Sequence, residues 1–270
     1  MEQVLRNGNA IRLDTRKLIS ARYKRITKAA NREFWDSQSE TDHSQYVGSY
    51  GRGTAIDASD LDILVSLPKG EYERFDHYRG NGQSRLIQAV KESVQTTYPN
   101  THVHGDGQVV VVKYSDGMRF EILPAFEQTN WDGTEYFIYP DSHMGGNWKA
   151  TNPKLEQTAM KDKNSSSNGL LYDTCKHVRF IHSQRFSSYK LSGIVVDSFI
   201  YSAIGSWRWT DGDSQLSAPG EYEQMLLSEF TRRYTNARHS FQLNAPGSGQ
   251  VVDASGSLDC LGKVLTRMAK

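Results

Sequence analysis

Cysteine is almost missing: Cys175 and Cys260 are the two in a chain of 270 residues. That excludes a disulfide framework and an all-cysteine zinc site made from this chain alone. No apolar run approaches the roughly 20 residues that a membrane-spanning helix needs, and residues 1–6 carry no signal-peptide core. An excess of one charge is missing too. Lys and Arg number 32 against 31 Asp and Glu, net +1, so no strong field commits the whole chain to nucleic acid. There is no internal repeat. The expectation is a soluble, cytoplasmic chain with no membrane partner, long enough for one large domain or two packed lobes.

What is present is concentrated in one stretch. Gly48-Ser49-Tyr50-Gly51-Arg52-Gly53-Thr54 is a glycine-rich turn, and Asp60-Leu61-Asp62-Ile63-Leu64-Val65 follows it as a strand. Alternate strand residues share a face, which puts Asp60 and Asp62 side by side and Leu61 and Ile63 toward the core. Two carboxylates that close raise each other's pKa unless a cation lies between them. A hard divalent ion suits the pair, magnesium foremost with manganese as a substitute. Backbone N–H groups of the turn and the Ser49 hydroxyl can meet anionic oxygens, as phosphate-cradling loops do. Each half alone also reads as an ordinary turn or a polar strand edge. Together they resemble the signature of the polymerase-β-like nucleotidyltransferases.

The flanking sequence divides into elements. Ile19, Tyr23, Ile26, Ala30 and Phe34 mark a long helix over 14–36, with Asp14 as its N-cap. Its other face is basic (Arg16, Lys17, Arg22, Lys24, Arg25, Lys28, Arg32), a solvated face paired with acids in preference to a nucleic-acid stripe. Residues 71–82 read as a polar insertion. Leu86, Ile87, Val90 and Val94 give a helix stopped at Pro99, and a hairpin joins 109–114 to 118–125 through Ser115-Asp116-Gly117. Glu121 lies on the second hairpin strand, opposite in direction to Phe120 and Ile122, where it can supply a third acid. Two-metal catalysis, with ions about 3.5–4 Å apart, needs such a third ligand. His102 and His104 are expected to be ordinary strand residues, because no further His or Cys lies near them.

Residues 133–148 read as an aromatic connection between lobes, Pro153 as the first turn of a helix, and 161–169 as a Lys/Asn/Ser-rich linker. A helix over 170–182 puts Lys176 and Arg179 on one face, before Ser187-Ser188-Tyr189. Two cations, serine hydroxyls and a flat aromatic suit a triphosphate and a base; a surface helix capped by a Ser-rich turn is the competing reading. Helices are expected over 191–204, 221–237 and 258–268. Asp211-Gly212-Asp213 lacks calcium-loop spacing.

Gly48-Ser49, Gly53-Thr54, Asp60-Leu61-Asp62, Glu121-Ile122-Leu123-Pro124-Ala125, Lys176 and Ser187-Ser188-Tyr189 together resemble the bacterial cGAS/DncV-like nucleotidyltransferases over about residues 15–205. The resemblance implies an α/β (α+β) fold. A polymerase-β-like lobe with a mixed or antiparallel sheet and a long N-terminal spine helix would occupy 1–150, and a helical lobe 151–270, with the active site between them. It implies that nucleoside triphosphates, such as ATP or GTP, are joined into a cyclic oligonucleotide that activates a separate effector protein in anti-phage defence. On the matching positions, Asp60, Asp62 and Glu121 are the catalytic acids that hold two metal ions. Gly48 and Ser49 touch the donor phosphates, Lys176 and Ser188 the triphosphate, and Tyr189 stacks on a base. Glu121 stands where the family often has Asp. The absence of a zinc-binding insertion, with the near-neutral charge, argues against double-stranded DNA as an activator. Rival readings are synthesis of linear oligonucleotides or RNA modification, a catalytically dead scaffold, and an antibiotic nucleotidyltransferase.

Overall fold

The computed structural model describes residues 2–57, 59–210, 220–235 and 242–270; Asp211-Gly212-Asp213 lies outside these. The chain forms two compact units, one of residues 12–51 and 60–153, the other of the segment up to Ile11 with 52–59 and 154–270.

The first unit is built on a mixed sheet. Helix α1 (Leu13–Phe34) leads to β1 (Ser44–Val47), the single turn α2 (Gly48–Gly51) and β2 (Leu61–Ser66). Then come α3 (Lys69–Asp76), α4 (Gly82–Thr97), β3 (His102–Asp106), β4 (Val109–Lys113) and β5 (Arg119–Thr129). The unit ends with β6 (Glu135–Asp141) and β7 (Asn147–Thr151). Strand order is β1-β2-β5-β4-β3, and β6 pairs the far half of β5 and then β7. The β2–β5 pair is parallel, whereas the other pairs are antiparallel. The alternation in β5 sorts its residues: Phe120 and Ile122 are fully buried beside Val110 and Val112, which leaves Glu121 for the other face.

Four expectations for the elements need correction. Helix α1 starts at Leu13 with Arg12 at the N-cap and no capping side chain, so Asp14 acts in the first turn, where a carboxylate meets the positive end of the helix dipole. The polar stretch 71–82 is not an insertion without structure: α3 forms in it, and its one apolar anchor, Phe75, is buried. The aromatic connection 133–148 contains β6 and the start of β7, since Tyr136, Phe137 and Ile138 pair across strands. The linker 161–169 begins as helix, because α5 (Pro153–Ser166) carries through it. There Ser165 and Ser166 donate their hydroxyls to the carbonyls of Lys161 and Lys163 at 3.0 and 2.9 Å, which absorbs the polar side chains without breaking the turn.

Two cations on the basic face of α1 are paired with acids. Arg22 forks onto Asp116 at 3.0 and 2.8 Å and lies over the Tyr114 ring, and Lys28 faces Glu40 at 3.8 Å.

The second unit is helical: α5, α6 (Leu170–Arg185), α7 (Gly193–Ala203), α8 (Glu221–Thr235) and α9 (Leu258–Ala269), with the short hairpin β8 (Leu243–Asn244) and β9 (Val251–Val252). Leu170, Leu171, Val178, Phe199, Tyr222, Leu226, Leu261 and Leu265 are fully buried in its core with Val4 of the N-terminal segment. Each such side chain contributes about 1.5–3 kcal/mol relative to exposure. Cys175 and Cys260 are buried free thiols in this core. Among the described residues, no helix is long and apolar enough to cross a membrane.

Candidate active site

The pairing register assembles the acids. Asp62 lies opposite Val47 of β1 on one side and Glu121 of β5 on the other. In-register neighbours on adjacent strands share a face and lie about 5 Å apart. Glu121 in turn faces Val111, and Val111 faces His104. One cross-strand row therefore reads Asp62, Glu121, Val111, His104. The parallel row reads Arg119, Lys113, His102, with Asp60 just before β2 reaching Arg119 from the next strand.

Gly48 closes the site at the turn. It has φ +58°, and a Cβ there would fall 1.8 Å from Asp62 Oδ2. Only a residue without a side chain lets the turn lie against that carboxylate. Ser49 follows it in α2.

Arg119 is the residue that sequence reading missed. Its Nη2 meets Glu121 Oε1 at 2.5 Å and its Nη1 meets Asp60 Oδ2 at 3.6 Å. The signal was there, two positions before Glu121 and so on the same strand face. Burial pushes the Glu121 carboxyl up; Arg119 opposes this, and the charges of Asp60 and Asp106 add to it. His104 shares the face of the acids, with Nδ1 buried and without a hydrogen-bond partner among the described residues. Its pKa is lowered, first by burial and then by His102 and Lys113.

Among the described residues, no three His, Cys, Asp or Glu side chains are drawn together closely enough to hold a metal ion as they stand. The donors nevertheless fit a hard divalent ion in kind. They are carboxylate oxygens from adjacent strands, and two of them already share one cation, the Arg119 guanidinium.

The helical unit holds the other expected contacts. Lys176 on α6 lies 6.0 Å from the centre of the Tyr172 ring. Ser187 and Ser188 are exposed in the turn after α6. Tyr189 is half exposed, and Lys263 Nζ lies 4.6 Å from its ring centre. Arg179 departs from the expected role as a phosphate contact. It is buried, ion-paired to Asp197 at 2.8 Å, and donates to the Gly193 carbonyl at 2.9 Å. Asp197 also accepts from Arg52 Nε at 2.8 Å and from Thr54 at 3.0 Å, and Arg52 reaches Glu156 at 3.1 Å. Arg52, the arginine of the glycine-rich stretch, is thus in a core ion pair as well, and it fixes residues 52–54 to α5 and α7.

Comparison with known proteins gives these features a family. The Second Messenger Oligonucleotide or Dinucleotide Synthetase domain matches residues 3–164, more than half of the chain. That span includes Gly48, Ser49, Asp60, Asp62 and Glu121, and ends before Lys176 and Tyr189. A probable cyclic nucleotide synthase of Bacillus cereus (strain VD146) is 28% identical over 157 residues, 56% of this chain and 45% of that protein. The match thus spans less than half of the relative's length. The fold is similar to that of the Elizabethkingia meningoseptica cyclic dinucleotide synthase CdnE, solved with GTP and Apcpp (TM-score 0.65, 13% identity, 98% of this chain and 94% of that one). It is similar also to the Rhodothermus marinus c-UMP-AMP synthase CdnE (TM-score 0.61, 14% identity, 96% and 93%) and the Vibrio cholerae cyclic AMP-GMP synthase DncV (TM-score 0.53, 13% identity, 83% and 61%). An acid face ordered by strand register, inside a domain match of this extent, settles the affiliation: the chain belongs to the Second Messenger Oligonucleotide or Dinucleotide Synthetase family.

Proposed function

We propose that the protein joins nucleoside triphosphates into a cyclic oligonucleotide, releasing pyrophosphate, and that the product signals to a separate effector protein in anti-phage defence. The observation that carries the chemistry is the register of Asp62 against Glu121, with Gly48 lying on Asp62. A ribose hydroxyl of one nucleotide attacks the α-phosphorus of another, and the bond to the β-phosphate breaks. Asp60, Asp62 and Glu121 would hold divalent ions, which supply charge neutralisation at the phosphates and acidify the attacking hydroxyl. The turn at Gly48 and Ser49 orients the donor phosphates. Lys176 and the hydroxyls of Ser187 and Ser188 bind the triphosphate, and Tyr189 stacks on a base. Catalysis by these residues is positioning and electrostatics, as expected for phosphoryl transfer. The similarity to solved synthases of cyclic dinucleotides supports closure of the product into a ring.

The test supplies all four nucleoside triphosphates with magnesium or manganese, then phosphatase, then mass spectrometry. A phosphatase-resistant cyclic species is expected from the wild type. Asp60→Ala combined with Asp62→Ala should lower pyrophosphate release by at least about a hundredfold in a folded protein. Release at the wild-type rate from that variant, or solely linear products from the wild type, would overturn the reading.

A further inference from the structure

Arg119 is oddly placed for an ordinary surface ion pair. Its fork is divided between Glu121 on its own strand, with Nη2 at 2.5 Å, and Asp60 just before β2, with Nη1 at 3.6 Å. Its Nε is buried and without a hydrogen-bond partner among the described residues, so no third bond locks the guanidinium in this pose. Lys113 is its register neighbour on β4 and His102 lies one strand further. Arg119 is thus flanked by basic groups on one side and held by acids on the other.

We infer that Arg119 is a latch on the acidic centre: it spans Asp60 and Glu121 while no divalent ion is bound, and an ion enters by displacing it. The inference rests on the reading of these acids as metal ligands. Its physical basis is competition for the same oxygen atoms. A carboxylate oxygen bonded to a guanidinium at 2.5 Å cannot also ligate an ion without bringing two cations within a few ångströms of each other, where they repel strongly. The two arms are unequal. The Asp60 side chain is half exposed, and its longer contact is the kind that water and salt screen. The Glu121 contact is short and mostly buried, so it is the one that resists displacement. A lysine could not reproduce the latch, because an ammonium is a point charge without a planar fork to reach two acids.

The test is a titration with Mn²⁺ alone, without nucleotide, with free ion read by electron paramagnetic resonance. Removing a cation this close to two ligands should tighten binding about tenfold, so Arg119→Gln is expected to bind Mn²⁺ about ten times more tightly than wild type. Arg119→Lys should fall between the two. Arg22→Gln removes the same charge from the exposed pair with Asp116 and should leave affinity unchanged, which separates local competition from net charge. Circular dichroism checks that each variant is folded, and Arg119→Lys gives a second reading should Arg119→Gln fold poorly. Unchanged or weaker Mn²⁺ binding in both Arg119 variants, with binding still lost in Asp62→Asn, would overturn the latch and leave the acids as ligands. Binding indifferent to Asp62→Asn in both the wild-type and the Arg119→Gln background would overturn the reading of the acids, and the latch with it.

Discussion

A methyl group at Gly48 has nowhere to go. It would fall 1.8 Å from Asp62 Oδ2 and 2.9 Å from Asp62 Cβ, well inside contact distance. The positive φ of 58° adds about 1 kcal/mol of backbone strain for any L side chain. Relief requires either the turn or the aspartate to move, and both belong to the proposed centre. Gly48→Ala is therefore expected to lower pyrophosphate release by about a hundredfold, the scale on which a 1 Å misplacement acts. The melting temperature should fall by only a few degrees. Activity within a factor of about two of wild type would show that Asp62 need not hold its place, which the hundredfold expectation excludes.

At the scale of elements, α6 carries two cations of opposite character. Arg179 is held between Asp197 of α7 and the Gly193 carbonyl inside the helical unit, while Lys176 has partly exposed surroundings and a ring contact at 6.0 Å. Removing one partner of a buried ion pair costs about 3–5 kcal/mol when the remaining charge loses all compensation; Asp197 keeps Arg52 and Thr54, which puts the cost here at the low end of that range. Arg179→Met should therefore lower the melting temperature by roughly ten degrees. Lys176→Ala should leave it in place and raise the KM for nucleotide about tenfold, the scale of one charge-assisted contact to phosphate. The reverse pattern would exchange the two assignments. The difference was not legible in the sequence. A spacing of three puts Lys176 and Arg179 on neighbouring parts of one helix, but the partners that bury Arg179, Asp197 and the Gly193 carbonyl, come from α7, and the Arg52 that shares Asp197 lies far up the chain. Pairing of that range leaves no periodic trace. The strand of Asp62 and the strand of Glu121 were legible, because alternation over a few residues fixes a face and a face fixes a register. The path of α5 through its Lys/Asn/Ser stretch was not. Serine hydroxyls bonded to their own helix look the same in composition as a solvated loop.

Over the whole molecule, the chain returns to its own beginning, and that closure is sensitive to pH. Glu2 receives Arg267 of α9 at 2.9 Å, and its carbonyl accepts from His177 Nε2 on α6 at 2.7 Å. The Val4 amide donates to Glu223 at 2.9 Å and the Asn7 amide to Asp173 at 3.1 Å. His177 is buried among these contacts, and its pKa is lowered chiefly by that burial; its bond to the Glu2 carbonyl and the charges of Glu223 and Glu2 oppose the shift. A group whose folded pKa is depressed binds fewer protons folded than unfolded once the pH drops below its ordinary value. For histidine that value is about 6.5. The stability it contributes is complete above that pH and is lost as the pH falls toward the folded pKa. Burial acts the other way on Asp173 and Glu156, whose raised carboxyls favour the fold at low pH and lose that advantage as the pH rises. The total curve mixes the two, so the informative quantity is a difference. His177→Gln keeps a donor for the Glu2 carbonyl and removes the titration. The margin in melting temperature of the wild type over His177→Gln should be largest near pH 7.5 and shrink steadily toward pH 5. A margin that is flat, or that widens on acidification, would mean that His177 is not buried as a neutral ring and that the N-terminal segment is held by its other contacts.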